Sequence, residues 1–314
     1  MNKKFFVCIL ALALLVSGAR AGDLAESRRT GVLILAHGHE RDWNHQVEVL
    51  ASSIPFPVEV ALGMAHRVAI AEAVRRLEEK GVARIVVVPL YVSSYSAIIR
   101  ASAYLLGVSQ DAPPELQMFN TMVHGLQDPH AGHAAGGLTT DLSPVRIEVP
   151  VFMTSALDDH PLVAEILLDR ARSISKSPGK ESVLLVGHGP GGESDDRLWQ
   201  AKMKRLADLV RAKGGFADSE VVTLMDDAPE SVKAVATARL RASVEKASRF
   251  GVALVIPVLL SRGGIEEGLR ERLQGLPYRI PEQFLLPDAR IADWVKQQVS
   301  AAILSGTGSP LAAR

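Results

Sequence analysis

Two histidines stand at the end of a short apolar run and immediately before a glycine. Gly31 to His39 reads GVLILAHGH, and Ser182 to Pro190 reads SVLLVGHGP. A neutral imidazole ligates divalent metals and takes protons near neutral pH, and the glycine after it lets the backbone turn tightly and approach a ligand. A single such histidine reads as structural, hydrogen-bonded to a loop carbonyl. Its recurrence in both parts of the chain favours a functional role, because packing alone does not require a polar residue twice at the same place. His37 and His188 are therefore the first candidates for metal ligand and base.

Around them lie weaker candidates. His39 and His45 flank Trp43 in HGHERDWNH. His39 is a possible second metal ligand or a solvated loop residue, and His45 belongs to the helix that follows. His66, after a second apolar run, either points into the same cleft or decorates a helix N-terminus. In the second part of the chain, Asp226 ends the run VVTLM and is a candidate metal ligand, whereas Asp227 suits an N-cap. Glu266 and Glu267 follow the SRGG turn. Glu266 opposite His188 would form a His/Glu pair able to move protons; the alternative is a pair of first-turn acids that favour the helix dipole. His124, His130 and His133 include an HxxH spacing, but their Gly-rich surroundings speak against a helix. GPGG at positions 189–192 lacks the Lys-Ser/Thr of a phosphate loop, and no G-x-S-x-G elbow occurs.

The elements that must hold these residues repeat. Each His-Gly is followed by a tryptophan (Trp43, Trp199) and an apolar run (Val58 to Leu62, Val221 to Met225). A helix-patterned stretch comes next (Ile70 to Lys80, Ser231 to Phe250), then a proline-containing run, GVARIVVVPLYVSS or GVALVIPVLLSRGG. Continuous apolar runs separated by amphipathic stretches predict buried parallel strands covered by helices. The fold expected is α/β: two tandem doubly wound parallel-sheet domains related by duplication, with both His-Gly pairs on the edge where such sheets bind ligands. Val145 to Thr154 reads as the last strand of the first half or the first of the second, and Asp159-His160-Pro161 opens a helix running to about Ile174.

The 314 residues divide as 1–21, 22–148 and 149–314. The first segment reads as a secretory signal, with Lys3 and Lys4 before an apolar run and Ala19-Arg20-Ala21 as the cleavage site, so the expected location is periplasmic or secreted. Lys+Arg and Asp+Glu each total 35, and loss of Lys3, Lys4 and Arg20 leaves the mature chain mildly acidic. That balance gives no footprint for nucleic acid. Cys8, the sole cysteine, lies in the leader, so cleavage excludes disulfides, thiolate nucleophiles and Cys-ligated metal. No later stretch has 18 consecutive apolar residues, so no stable membrane insertion is expected after cleavage.

Taken together, LAHGHERDWN, VVVPLYVSS and their second copies resemble the sirohydrochlorin cobalto/ferrochelatase family of class II tetrapyrrole chelatases, over about residues 30–110 and 150–300. The resemblance implies two flavodoxin-like modules facing a cleft that holds a tetrapyrrole. Co2+ or Fe2+ enters the macrocycle there without any organic cofactor. His37 matches the family's first catalytic histidine, and His188 is its counterpart. Arg100, Arg262 and Arg270 near the cleft mouths would bind substrate carboxylates, with Ser93 and Ser261 at the ends of the third strands. The family's histidine after the third strand has no equivalent in SSYSAII or SRGGIEE. Its acid after the second strand is replaced near Met64, while Asp226 occupies that place in the second copy. The competing expectation is a non-catalytic periplasmic protein, derived from a chelatase, that binds metal or tetrapyrrole. Oligomeric state is not legible.

Overall fold

The computed structural model describes residues 29–38, 41–121, 140–249 and 251–305. The leader, His39 and the loop histidines His124, His130 and His133 lie outside the described residues. The first half runs β1 (Thr30–Ala36), α1 (Arg41–Ser52), β2 (Val58–Leu62), α2 (Arg67–Glu79), β3 (Arg84–Leu90), α3 (Ala97–Leu105), α4 (Leu116–Thr121), β4 (Val151–Met153) and α5 (Pro161–Ile174). The second runs β5 (Glu181–Gly187), α6 (Glu193–Gly214), β6 (Asp218–Thr223), α7 (Glu230–Ser248), β7 (Val252–Val258), α8 (Gly264–Arg272), β8 (Tyr278–Arg279) and α9 (Ala289–Ser305).

Each half forms a parallel four-stranded sheet, ordered β2-β1-β3-β4 and β6-β5-β7-β8. Alternate residues of each central strand bury on opposite faces, as a doubly wound sheet requires. Leu33, Leu35, Ile85 and Val87 join the core under α2 and α3. Val32, Ile34, Val86 and Val88 face the other way, into a core shared with Val183, Leu185, Leu254 and Ile256 of the second sheet. That shared core is continuous because the last helix of each half crosses over. α5 packs on β7 and α6, and α9 packs on β3 and α1.

The α/β expectation with two parallel sheets holds, and the helix opened by Asp159-His160-Pro161 runs over Pro161–Ile174 with His160 as its N-cap. β4 hydrogen-bonds to β3, so the first sheet takes in residues beyond the 148/149 division. The second strand of the second half is displaced from the expected Val221 to Met225 and ends at Thr223. Met225 adopts φ 56° and its N–H donates to the His188 carbonyl at 2.9 Å, which turns the chain out of the sheet.

Register makes the halves comparable residue by residue. Ala36 pairs with Leu90 and Gly187 with Val258, so His37 and His188 are equivalent. At the end of the third strands, Val92 O accepts from Asp158 N at 3.0 Å and Leu260 O from Leu286 N at 2.7 Å. Ser93 therefore matches Ser261, Asp158 matches Leu286 and Asp159 matches Pro287. On the following helices the buried Val47 and Leu50 of α1 take the places of Met203 and Leu206 of α6. That alignment sets Trp43 against Trp199, Gln46 against Lys202 and Val49 against Arg205.

Candidate functional site

Both ligand-edge histidines occupy the switch point between the first and third strands of their sheets, where doubly wound folds bind ligands. His37 Nδ1 lies 2.8 Å from Gly38 O. A carbonyl only accepts, so Nδ1 carries the proton and Nε2 the lone pair of the neutral ring. Gly38 has φ +68°, and a Cβ there would stand 3.0 Å from the Leu62 Cβ. At Gly189, φ is +77° and a Cβ would come within 2.8 Å of Thr223 Cβ. The glycines thus let each histidine loop press against the end of the second strand. His188 is half-buried, and its Nε2 stands 3.8 Å from Asp227 Oδ1.

The carboxylates around His188 are not the ones expected. Asp226 lies beyond the strand end, and the Arg272 guanidinium holds its carboxylate. The carboxylate that faces His188 is Asp227, not an N-cap; Pro229 occupies that position, without a side-chain cap. Glu266 is buried, and its carboxylate accepts from Arg270 one turn along α8. The arginine thus neutralises this buried carboxylate within its own helix. Both Glu266 and Glu267 do lie in the first turn of α8.

The arginines sit in ion pairs. Arg100 on α3 bonds Asp195 on α6 at 2.9 Å, joining the halves. Arg262 bonds Glu282 at 2.6 Å with both side chains largely exposed. Ser93 is buried, and its hydroxyl accepts from Tyr95 N at 3.1 Å, closing the turn after β3. Next to it, Ser94 donates to Asp158 Oδ2 at 2.7 Å. Among the described residues no three His, Cys, Asp or Glu side chains converge on a point that could hold a metal.

His66 is the N-cap of α2, its Nδ1 accepting from Ala69 N at 3.3 Å. Its Nε2 is buried without a partner, and burial pulls its pKa below the ordinary 6.5. The ring faces a small recess with Tyr91 and Ser102, where burial pushes the Tyr91 phenol well above the usual range. His45 is exposed on α1.

A cavity of about 460 Å³ opens between the halves, beside α1. Asp42, Trp43 and Gln46 form one wall; Ser261 and Arg262 stand on the other, with Phe284 and Pro287 between. The equivalent seam beside α6 is occupied. There Asp159 accepts from Lys202 and from Arg205, each at 2.8 Å. Ser261 and Arg262, expected at a cleft mouth, do line this cavity; the α1 wall was not expected, and aligning the two Trp-x-x-Gln/Lys segments is the signal that could have found it.

No family description and no curated protein matches the chain. Among solved structures it is similar to SirB from Bacillus subtilis with Fe3+, at 14% identity and TM-score 0.59, covering 90% of this chain and 98% of that one. It is also similar to the sirohydrochlorin chelatase SirB from Bacillus subtilis subspecies spizizenii in complex with cobalt, at 12% identity and TM-score 0.57, with the same coverage. The two-module chelatase-like fold expected from the sequence is therefore shared along nearly the whole of SirB. No helix among the described residues is long and apolar enough to cross a membrane.

Proposed function

We propose that this chain acts on a carboxylate-rich tetrapyrrole of the sirohydrochlorin type, inserting Co2+ or Fe2+ as substrate, with His37 and His188 at the reacting face. The observation that carries the reading is the recurrence of a ligand-edge histidine at equivalent positions of two sheets whose joint fold is that of SirB. Metal insertion removes two pyrrole N–H protons as the divalent ion enters, so the product carries the same net charge as the free macrocycle. The His37 tautomer suits this chemistry: its Nε2 lone pair can hold the incoming ion loosely or accept a departing proton. At the other copy Asp227 Oδ1 stands 3.8 Å from His188 Nε2 and adds a carboxylate to the reacting face. Arg100, itself exposed, would exchange its half-buried partner Asp195 for a substrate carboxylate at modest cost, since ion pairs near the surface contribute about 0–1 kcal/mol.

The signal-like leader supports export, and we place the mature protein in the periplasm or outside the cell. A second reading, a non-catalytic carrier of metal or tetrapyrrole, is favoured by one feature: Arg272 and Arg270 neutralise Asp226 and Glu266, the carboxylates that would otherwise take protons. Anaerobic incubation of purified protein with sirohydrochlorin and Co2+, followed by absorbance spectra, separates the two. Insertion faster than the spontaneous rate is the expected result. Tight macrocycle binding with an unchanged insertion rate establishes the carrier instead.

A further inference from the structure

We infer that the cavity beside α1, where Ser261 and Arg262 stand, is a ligand site that takes a dipeptide-sized zwitterion. The inference stands independently of the chelatase reading. Its basis is an internal comparison. In the seam beside α6, the protein fills the space between helix and loop with its own charges, Lys202 and Arg205 on Asp159. In the seam beside α1 the same three positions hold Gln46, Val49 and Pro287, so no ion pair joins helix to loop at these positions. What remains is an open cavity of about 460 Å³, the size of a small-molecule site and too small for a whole tetrapyrrole.

The two walls make opposite demands. On α1, Asp42 has no hydrogen-bond or ion-pair partner among the described residues, and Gln46 Oε1 is buried without a donor. The buried Gln46 oxygen asks for an N–H group, and the exposed Asp42 carboxylate adds negative charge beside it. Trp43 lies between them, and its buried indole N–H, also without a partner, can donate to a ligand carbonyl such as that of a peptide bond. Across the cavity, Ser261 and Arg262 offer donors; Arg262 is held only by Glu282 in an exposed pair, at side-chain exposures of 60% and 74%. Arg170 is not available, since it is committed to Asp288 at 3.1 Å and to Phe284 O at 3.0 Å. A ligand that satisfies both walls carries an ammonium toward Asp42 and Gln46 and a carboxylate toward Arg262 and Ser261. Phe284 and Leu286, both nearly fully buried, give an apolar floor for a side chain between those ends. A polyanion fits poorly, because the α1 wall offers it no cation.

Titration calorimetry with glycyl-leucine, its N-acetyl form and its C-terminal amide tests this directly. The expected result is binding of the free dipeptide, weakened about ten-fold or more by blocking either end, a loss of about 1.4 kcal/mol. Asp42→Asn weakens it similarly, and Gln46→Lys, which places a cation where the ammonium sits, abolishes it. Near-ultraviolet circular dichroism checks that each variant is folded, and the His37→Ala protein binds the dipeptide unchanged. No heat at millimolar dipeptide, or equal affinity for free and blocked forms, overturns the proposal. So does loss of binding in His37→Ala, which would assign the ligand to the histidine edge.

Discussion

Beside α6, Lys202 and Arg205 converge on Asp159 and tie the second half to the loop before α5. Beside α1 the equivalent residues are Gln46, Val49 and Pro287, and the space between helix and loop stays open. The backbone plan of the two seams is the same, down to the hydrogen bonds that leave the third strands at Val92 and Leu260. Exchanging charged side chains for neutral ones at three positions thus converts a fastening into a cavity. One copy of the repeated plan joins the halves, and the other is left able to accept something from outside.

The largest test of that asymmetry is the pair of tryptophans. Trp199 is 7% exposed and packs into the shared core, so Trp199→Ala lowers unfolding free energy by about 3–5 kcal/mol. Trp43 is only partly buried at the cavity, and Trp43→Ala costs about 1–2 kcal/mol; urea denaturation of both variants measures the gap. Equal losses would mean the two seams are packed alike.

Asp159→Asn removes the anion shared by two partly exposed cations and lowers stability by about 1 kcal/mol. Burial alone would raise the Asp159 carboxyl, but the hydrogen bonds from Lys202 and Arg205 outweigh it and hold the pKa below the ordinary 3.8. The contribution is therefore complete at neutral pH and fades as the pH falls below 3.8 through the lower folded value. Melting curves of wild type and Asp159→Asn should converge in acid and separate at neutral pH. On the open side Gln46→Lys changes stability by no more than about 0.5 kcal/mol, because the lysine meets Glu282 or Asp288 only in a solvated space.

A smaller effect separates the loops after the second strands. His66 is buried neutral in the first half, while the second half has Asp226 paired to Arg272 there. Its folded pKa is lowered by burial, so the unfolded chain binds the proton first and stability declines as pH drops below 6.5. His66→Asn keeps the helix cap and removes the titration, flattening the pH dependence of the melting temperature between neutral pH and pH ~5.5. An unchanged slope would assign that sensitivity elsewhere, for example to His160, whose pKa burial also lowers.

The sheets were legible because their strands are buried on both faces and so read as continuous apolar runs; Gly31 to Ala36 and Ser182 to Gly187 announce themselves and carry their histidines with them. Asp226 was misplaced because a strand end is set by backbone conformation: the left-handed Met225 follows an uninterrupted apolar run and leaves no mark in composition. The pairing of Glu266 with Arg270 was within reach, since a four-residue spacing on a helix brings the two side chains together. The seams were not. Lys202 and Asp159 meet only because α5 crosses to the other sheet, and no local pattern encodes that crossing.

The central functional claim is that the ligand-edge histidines perform the insertion, and it is tested most directly by comparing His37→Ala and His188→Ala with wild type in anaerobic Co2+ insertion into sirohydrochlorin. The expected result is insertion above the spontaneous rate in wild type, reduced by about ten-fold or more in at least one of the two variants while macrocycle binding persists. Wild-type insertion that neither substitution slows, or a wild-type rate no faster than the spontaneous one, would contradict it.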